Sequence, residues 1–348
     1  MIMSLDTIQI IQPDDWHVHL REGKMLETVI EFSSRINRRC IVMPNLIDPI
    51  TTLKAGLEYK KNICSLTNKN FVPLLPCYLI ENIDLIDFAQ AIDDNVFIGA
   101  KLYPNKATTN SNFGVSDIEK IFPSLEILDE KKKPLLIHGE KSGDEIDFFD
   151  REKLFVDNEL TLIRKKFPNL KIILEHVSSK YGADFVNQNE NIGATITPHH
   201  LLLTKKDVFF NNDSIDPHHF CMPVVKEEKD LIALRSYATS GNNKFFLGTD
   251  SAPHHIDHKT PNLSAKPGIF SAPCSLEIYA TIFEEEKAMN NLEIFSSING
   301  PKFYDLPVNE KTIELKKEKW NVPEFTIFQD IKIKNFFGGK ELNWKVKE

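Results

Sequence analysis

A chain of 348 residues, 41% of them hydrophobic, is long enough for one large α/β barrel or two ordinary domains and can bury a core sufficient to fold alone. Its 42 Lys and Arg against 50 Asp and Glu give a formal charge of -8, and without a long basic run or basic helix face a nucleic-acid partner is not expected. The opening MIMSLDTIQIIQPDD lacks a basic region ahead of an apolar run, and the five cysteines form no C-x-x-C pair, so the expectation is a cytoplasmic protein with no membrane partner, disulfide framework or thiolate zinc knuckle.

Short apolar runs alternate with longer amphipathic segments. Strands are predicted at 16–20 (WHVHL), 40–45 (CIVMPN), 71–79 (FVPLLPCYL), 96–103 (VFIGAKLY), 134–139 (PLLIHG), 171–176 (KIILEH), 193–199 (GATITPH) and 244–250 (KFFLGTD). Between them, segments such as MLETVIEFSSRI and DIEKIFPSLEILDEK repeat apolar residues every three or four positions, the period of a helix. Eight β-then-α units over roughly 250 residues match a (β/α)8 TIM barrel, whose strands are buried on both faces. A doubly wound sheet would show a glycine-rich turn after the first strand; REGKM follows it instead. No repeat, low-complexity tract or linker divides the chain. Residues 1–348 are therefore expected to form a single barrel domain. From about residue 305 the pattern turns lysine-rich and strand-like, and 305–348 reads as a C-terminal extension packed on the barrel.

His19 closes the first predicted strand, Asn45 the second, Lys101 lies near the end of the fourth, His138 ends the fifth, His176 the sixth and Asp250 the eighth. In a barrel those ends converge on one face, where active sites assemble from several strands. A single histidine at a strand end is more often a hydrogen-bonded core residue than a ligand. As a set they differ, because alternate strand residues share a face: His17 and His19 can turn together toward the barrel axis and bind one ion. Asp250, after an apolar run, needs a cation or hydrogen bonds to offset burial of its carboxylate. Lys101 poses the reverse problem, an amine among apolar neighbours and beside groups that hold cations. A neutral amine that adds carbon dioxide becomes a carbamate, an anion able to bridge two metals. A Schiff-base lysine of an aldolase-type barrel and a side chain reaching to solvent are the competing readings.

The blocks PDDWHVHLRE, IVMPNL, AKLYP, ATTNSN, PLLIHGE, ATITPHHL and FLGTDSAPH, in that order over nearly the whole chain, resemble the metal-dependent amidohydrolase superfamily and, within it, the monofunctional bacterial dihydroorotase family. H-x-H alone is a weak signal; the set of seven is specific. The resemblance implies an enzyme of pyrimidine biosynthesis that interconverts N-carbamoyl-L-aspartate and L-dihydroorotate. It implies two zinc ions, one held by His17, His19 and Asp250 and the other by His138 and His176, with carboxylated Lys101 (N6-carboxylysine) bridging them. Substrate contacts carry over to Arg21, Asn45, His254, the main chain around Met222, and Pro267 and Gly268. The family usually has leucine where Met222 stands and a differently worded 266–268 segment, changes that main-chain contacts tolerate. A homodimer is implied as well.

Opening the dihydroorotate ring hydrolyses an unreactive amide. A hydroxide bridging two ions ~3.5–4 Å apart is a suitable nucleophile at neutral pH, while the more open ion polarises the carbonyl. Asp250 is expected to take the hydroxide's proton and pass it to the departing ring nitrogen. Arg21 offers a planar fork, and Asn45 an amide donor, for the carboxylate outside the ring; a surface ion pair of Arg21 with Glu22 is the alternative. The loop NKATTNSNFG, 105–114, is small and polar. As a lid it brings Thr108 and Thr109 to the substrate, and as a plain surface loop it needs no function. His199, His200, His218, His219, His255 and His258 receive no role. Such ligands also accept cobalt or manganese. Another cyclic-amide hydrolase, of the hydantoinase or dihydropyrimidinase type, is the nearest rival, although its substrates need not present a carboxylate to Arg21 and Asn45. A catalytically silent scaffold is the rival from a different class, and such a chain could lose metal ligands without penalty.

Overall fold

The computed structural model describes residues 2–3, 6–67, 70–143, 145–211 and 214–347. Eight apolar runs form parallel strands: β1 (Asp15–Val18), β2 (Arg39–Val42), β3 (Val72–Tyr78), β4 (Phe97–Leu102), β5 (Leu135–His138), β6 (Ile172–Glu175), β7 (Ile192–Ile196) and β8 (Phe245–Leu247). They lie side by side in chain order. The ring closes just past β8, where Asp250 N–H donates to the His17 carbonyl (2.9 Å) and His19 N–H to that of Ser251 (3.0 Å). This is the expected (β/α)8 barrel. A helix follows every strand, from Gly23–Ser34 after β1 to Ser275–Glu285 after β8. Thr52, Asp84 and Ser179 cap three of them through side-chain oxygens, each cap stabilising its helix by about 1 kcal/mol.

Strict two-residue alternation holds in β5 and β6. Leu136 and Ile173 pack inside the barrel with Trp16, Ile41, Met43 and Phe246, while Leu135, Ile137, Ile172 and Leu174 join the core beneath the helices. The next inward positions are His138 and Glu175. β1 and β4 break the rule. The β1–β2 register shifts between Asp15 and Val18, so Trp16 enters the interior cluster and adjacent His17 still reaches the cavity above it. The β3–β4 register shifts near Gly99; Ile98 packs inward, and beyond the irregularity Lys101, not Ala100, faces the barrel axis. A Cβ on Gly99 would come within 2.3 Å of the Pro134 carbonyl, so the site requires glycine.

The regular strands stop short of their expected ends, four of them by two residues or more: β1 at Val18, β2 at Val42, β7 at Ile196 and β8 at Leu247. His19, Arg21, Asn45 and Asp250 therefore stand on the loops just beyond. Arg21, His176 and Asp250 adopt left-handed backbone, with φ of 61°, 42° and 44°. A ladder cannot continue through such residues, and they persist only where surrounding bonds over-determine them. Asp15 provides such bonds, accepting from His17 N–H (3.1 Å), Thr249 N–H (2.9 Å) and Thr249 Oγ1 (2.5 Å) and so tying β1 to the loop after β8. Its neighbour Asp14 takes Arg39 Nε (3.0 Å) and Nη2 (2.6 Å) in a buried fork from β2, and removing either partner would cost about 3–5 kcal/mol.

Outside the barrel, Thr312–Asn321 pairs antiparallel with Thr7–Ile11 on one side and Glu341–Val346 on the other. Phe325–Phe328 and Ile331–Lys334 form a hairpin. Trp344 Nε1 donates to Glu284 (3.0 Å) on the last barrel helix, and Phe336 N–H to the Phe270 carbonyl (2.8 Å). All five cysteines are unpaired. Among the described residues no helix is long and apolar enough to cross a membrane.

Candidate metal centre and active site

His17, His19 and Asp250 meet at the barrel mouth. His17 Nε2 lies 3.3 Å from His19 Nε2 and 3.2 Å from Asp250 Oδ1, which is 3.1 Å from His19 Nε2. Ligands ~2.0–2.1 Å from a tetrahedral ion stand ~3.3–3.4 Å apart, so this triangle matches one face of such a site. His138 Nδ1 and His176 Nε2 face each other at 3.2 Å, and the His176 ring centre is 4.9 Å from that of His17. His138 Nε2 lies 2.8 Å from Glu140 Oε2. With its proton held there, Nδ1 turns a lone pair toward His176. The donor sets fit two adjacent cations.

Burial lowers His19 to about 4, helped by the Arg21 guanidinium, and takes His176 well below its ordinary range, with His138 adding to the effect. Both are neutral at pH 7, as ligands must be. Burial opposes a charge on His17 as well, but the Glu175 and Asp250 carboxylates outweigh it and raise the imidazole to about 9. Desolvation works against an ionised Asp250, yet His17 and His19 hold its carboxyl well below the usual range. A cation entering the triangle must displace the His17 proton. Affinity of the chelator-treated protein for zinc is therefore expected to rise ~10-fold per pH unit from about pH 6 and level off near pH 9, where His17 is already neutral. Calorimetric titration with zinc at several pH values checks this, and a flat profile would exclude His17 as a ligand.

Lys101 lies fully buried below these groups, its Nζ paired with Glu175 Oε2 and 4.7 Å from the centre of the Tyr103 ring. The reading of a lysine reaching solvent is thereby overturned. Glu175 Oε1 is also 2.9 Å from His17 Nδ1. Burial lowers the Lys101 amine below its ordinary range, and Glu175 restores the charge only in part. That shift is in the direction that favours the neutral amine carbon dioxide requires.

Above the ligands is a narrow cavity whose walls include Arg21, Asn45, Thr108, Thr109, Met222, Pro267 and Gly268, together with Tyr103 and Ala252. Arg21 turns inward as its phase predicts: Nη1 is 3.5 Å from His19 Nδ1, Nη2 is 3.2 Å from His254 Nε2, and Nε donates to the Pro253 carbonyl (3.3 Å). The guanidinium stands against these groups and not against Glu22. His254 stands on the outer side, in the vestibule, and burial followed by Arg21 keeps it well below the ordinary histidine range.

The 105–114 loop is folded inward and is not a plain surface loop. The Thr109 carbonyl accepts from Asn45 Nδ2 (2.9 Å), Asn110 Nδ2 donates to the Asn45 carbonyl (3.0 Å), and Thr109 Oγ1 donates to the Pro267 carbonyl (3.5 Å). Asn45 thus departs from expectation, because its amide donor latches the loop and its Oδ1 is buried without a partner. Replacing Thr108 and Thr109 together by valine is expected to lower kcat ~10²-fold through a badly closing lid; steady-state rates decide it, and unchanged kinetics would reject the lid.

Glu175, Glu140, Tyr103 and Asp15 were not singled out from sequence. Glu175 carries the same signal as Asp250, an acid in an apolar run, and Glu140 stands two residues after His138. His199, His200 and Cys221 lie close enough to share an ion. However, His200 Nε2 (3.1 Å) and Cys221 Sγ (3.1 Å) are both directed at the Pro223 carbonyl, and His200 Nδ1 is 2.7 Å from Thr197 Oγ1. His218, His219, His255 and His258 stand outside the inner cavity.

No family model matches the chain. An eight-stranded parallel barrel with four histidines, a lysine and an aspartate gathered at one mouth defines the metal-dependent amidohydrolase class. The dihydroorotase of Yersinia enterocolitica serotype O:8 / biotype 1B is 43% identical over 350 residues, with 100% of both chains covered. The solved dihydroorotase of Saccharomyces cerevisiae, in complex with 5-fluoroorotic acid, matches at a TM-score of 0.92 and 34% identity over 99% of each chain; that of Campylobacter jejuni matches at 0.90 and 36%, covering 100% of this chain and 99% of that one. The chain belongs to the dihydroorotase family and is a hydrolase acting on cyclic amides.

Proposed function

We propose that this dihydroorotase performs the reversible cyclisation of N-carbamoyl-L-aspartate to L-dihydroorotate, in pyrimidine biosynthesis, at two metal ions. His17, His19 and Asp250 would hold one ion and His138 and His176 the other, with Lys101, carboxylated on Nζ, as a ligand common to both. Zinc is the assigned metal, with cobalt or manganese acceptable to the same ligands. The observation that carries this reading is the gathering of buried donor atoms into two sets at 3.1–3.3 Å spacing.

Bound there, the ions supply a nucleophile from water at neutral pH and a Lewis acid for the amide carbonyl. Arg21 presents its fork to the carboxylate outside the ring, aided by His254. The yeast relative's complex with 5-fluoroorotic acid, a ring that bears a carboxylate, supports this role. Asn45, Met222, Pro267 and Gly268 complete the substrate wall, and the closed 105–114 loop brings Thr108 and Thr109 over it while excluding water. Asp250 accepts the proton of the attacking water and delivers it to the ring nitrogen as the C–N bond breaks; cyclisation runs the same transfers backwards.

Chelation is expected to abolish dihydroorotate hydrolysis, and two zinc ions per chain to restore it. Full activity in metal-free protein would end the proposal. The same reading makes residues 1–348 one domain with 305–348 as its extension, which the pairing of Thr7–Ile11 with Thr312–Asn321 supports. It also makes the enzyme a cytoplasmic homodimer without nucleic-acid or membrane partners; unpaired cysteines support the compartment.

A further inference from the structure

We propose that Lys259 is a positioning residue for substrate binding, orienting the main chain of the 266–268 segment by holding two of its carbonyls. The inference rests on the reading above, in which Pro267 and Gly268 contact the substrate. Lys259 directly follows the short turn Ile256–His258, and its side chain reaches back across the loop it opens. Nζ donates to the Lys266 carbonyl (2.9 Å) and to the Gly268 carbonyl (2.6 Å).

Lys259 holds the carbonyls that flank Pro267, and the intervening Pro267 carbonyl is left to other partners. It accepts from His254 Nε2 (3.0 Å) and Thr109 Oγ1 (3.5 Å). Proline has no N–H, so this carbonyl is the only main-chain polar group that Pro267 can offer. Gly268 N–H is already directed to the Phe220 carbonyl (2.9 Å). Gly268 itself has φ +144°, and a Cβ there would lie 2.8 Å from the Ala252 carbonyl, so the segment is held in a conformation that only glycine permits. Lys259 thereby braces the peptide planes on both sides of the one whose carbonyl His254 from the vestibule and Thr109 from the lid approach. Without its ammonium the Lys266 and Gly268 carbonyls lose their shared anchor, and the Pro267 carbonyl between them is held on its own plane only through the Gly268 N–H bond to Phe220.

The test is steady-state hydrolysis of dihydroorotate by the native enzyme and by Lys259→Met, Lys259→Arg and Arg21→Met variants, with metal content measured for each. Lys259→Met is expected to raise KM ~10-fold while kcat stays within ~3-fold, and Lys259→Arg, which keeps the donors, to remain within ~3-fold of the native KM. Metal content should match the native enzyme in both. Arg21→Met reports on the substrate site itself: if it leaves KM unchanged, the reading of the site fails. If Arg21→Met raises KM and Lys259→Met does not, the site stands and the role of Lys259 is overturned. Equal losses of kcat and metal in both Lys259 variants would also overturn it, because that pattern marks general structural damage. Should Lys259→Met not fold, Lys259→Gln, with one donor on a shorter arm, gives the same decision through its KM.

Discussion

Lys101→Ala is expected to lower kcat/KM for dihydroorotate by ~10³-fold or more and to reduce bound metal below two ions per chain. The reason is charge. Two divalent cations a few ångströms apart repel, and the surrounding donors are mostly neutral imidazoles. A carbamate on Lys101 Nζ would place an anion between the ions; alanine would remove it and leave a cavity where the buried side chain lay. Small carboxylic acids fit such a cavity, so acetate or propionate should restore part of the activity and of the metal. Methylamine should not. Rescue by the amine and not by the acids would identify the lysine nitrogen itself as the reacting group, as in a Schiff-base barrel, and the bridge would be wrong. Glu175 sharpens the contrast, since it stabilises an ammonium at Lys101 and opposes an anion there unless cations are present.

The barrel was legible because eight strands buried on both faces read as apolar runs, and the ligands because polar residues at their ends have few structural reasons to be there. His138 illustrates the readable case: β5 alternates strictly, so its inward position follows from Leu136 by simple counting. Lys101 is the opposite. Counting from Ile98 turns it outward, and only the register shift against β3 near Gly99 brings it in. That shift arises in the pairing of two strands, so no local pattern encodes it. Asn45 lines the cavity at the end of its strand, but its bond to the Thr109 carbonyl depends on where a loop sixty-odd residues later comes to rest. Thr7–Ile11 escaped notice as a strand because its partner is Thr312–Asn321, at the other end of the chain. Glu175 could have been read by the argument applied to Asp250.

Asp250→Asn is the second large effect expected, a fall in kcat of ~10²–10⁴-fold in both directions of the reaction with KM much less affected. Asparagine keeps an oxygen where Oδ1 meets His17 and His19, so metal should be retained in large part, and metal analysis on the same sample separates loss of the ion from loss of the base. The pH dependence gives the finer test. Burial pushes the Asp250 carboxyl up, but His17 and His19 more than compensate and hold it well below the usual range, so it is an anion able to accept a proton throughout the neutral range. Hydrolysis needs Asp250 ionised, and its rate should fail on the acid side. Cyclisation needs the same group protonated, and with the carboxyl held that low its rate should fall as pH rises across the neutral range. Asparagine can do neither, so the variant's residual rates should lose both limbs. A variant that retains its metal, more than a tenth of native turnover and the native pair of limbs would show that the proton travels by another group. His254, the nearest neutral imidazole to Arg21, would then be the residue to replace.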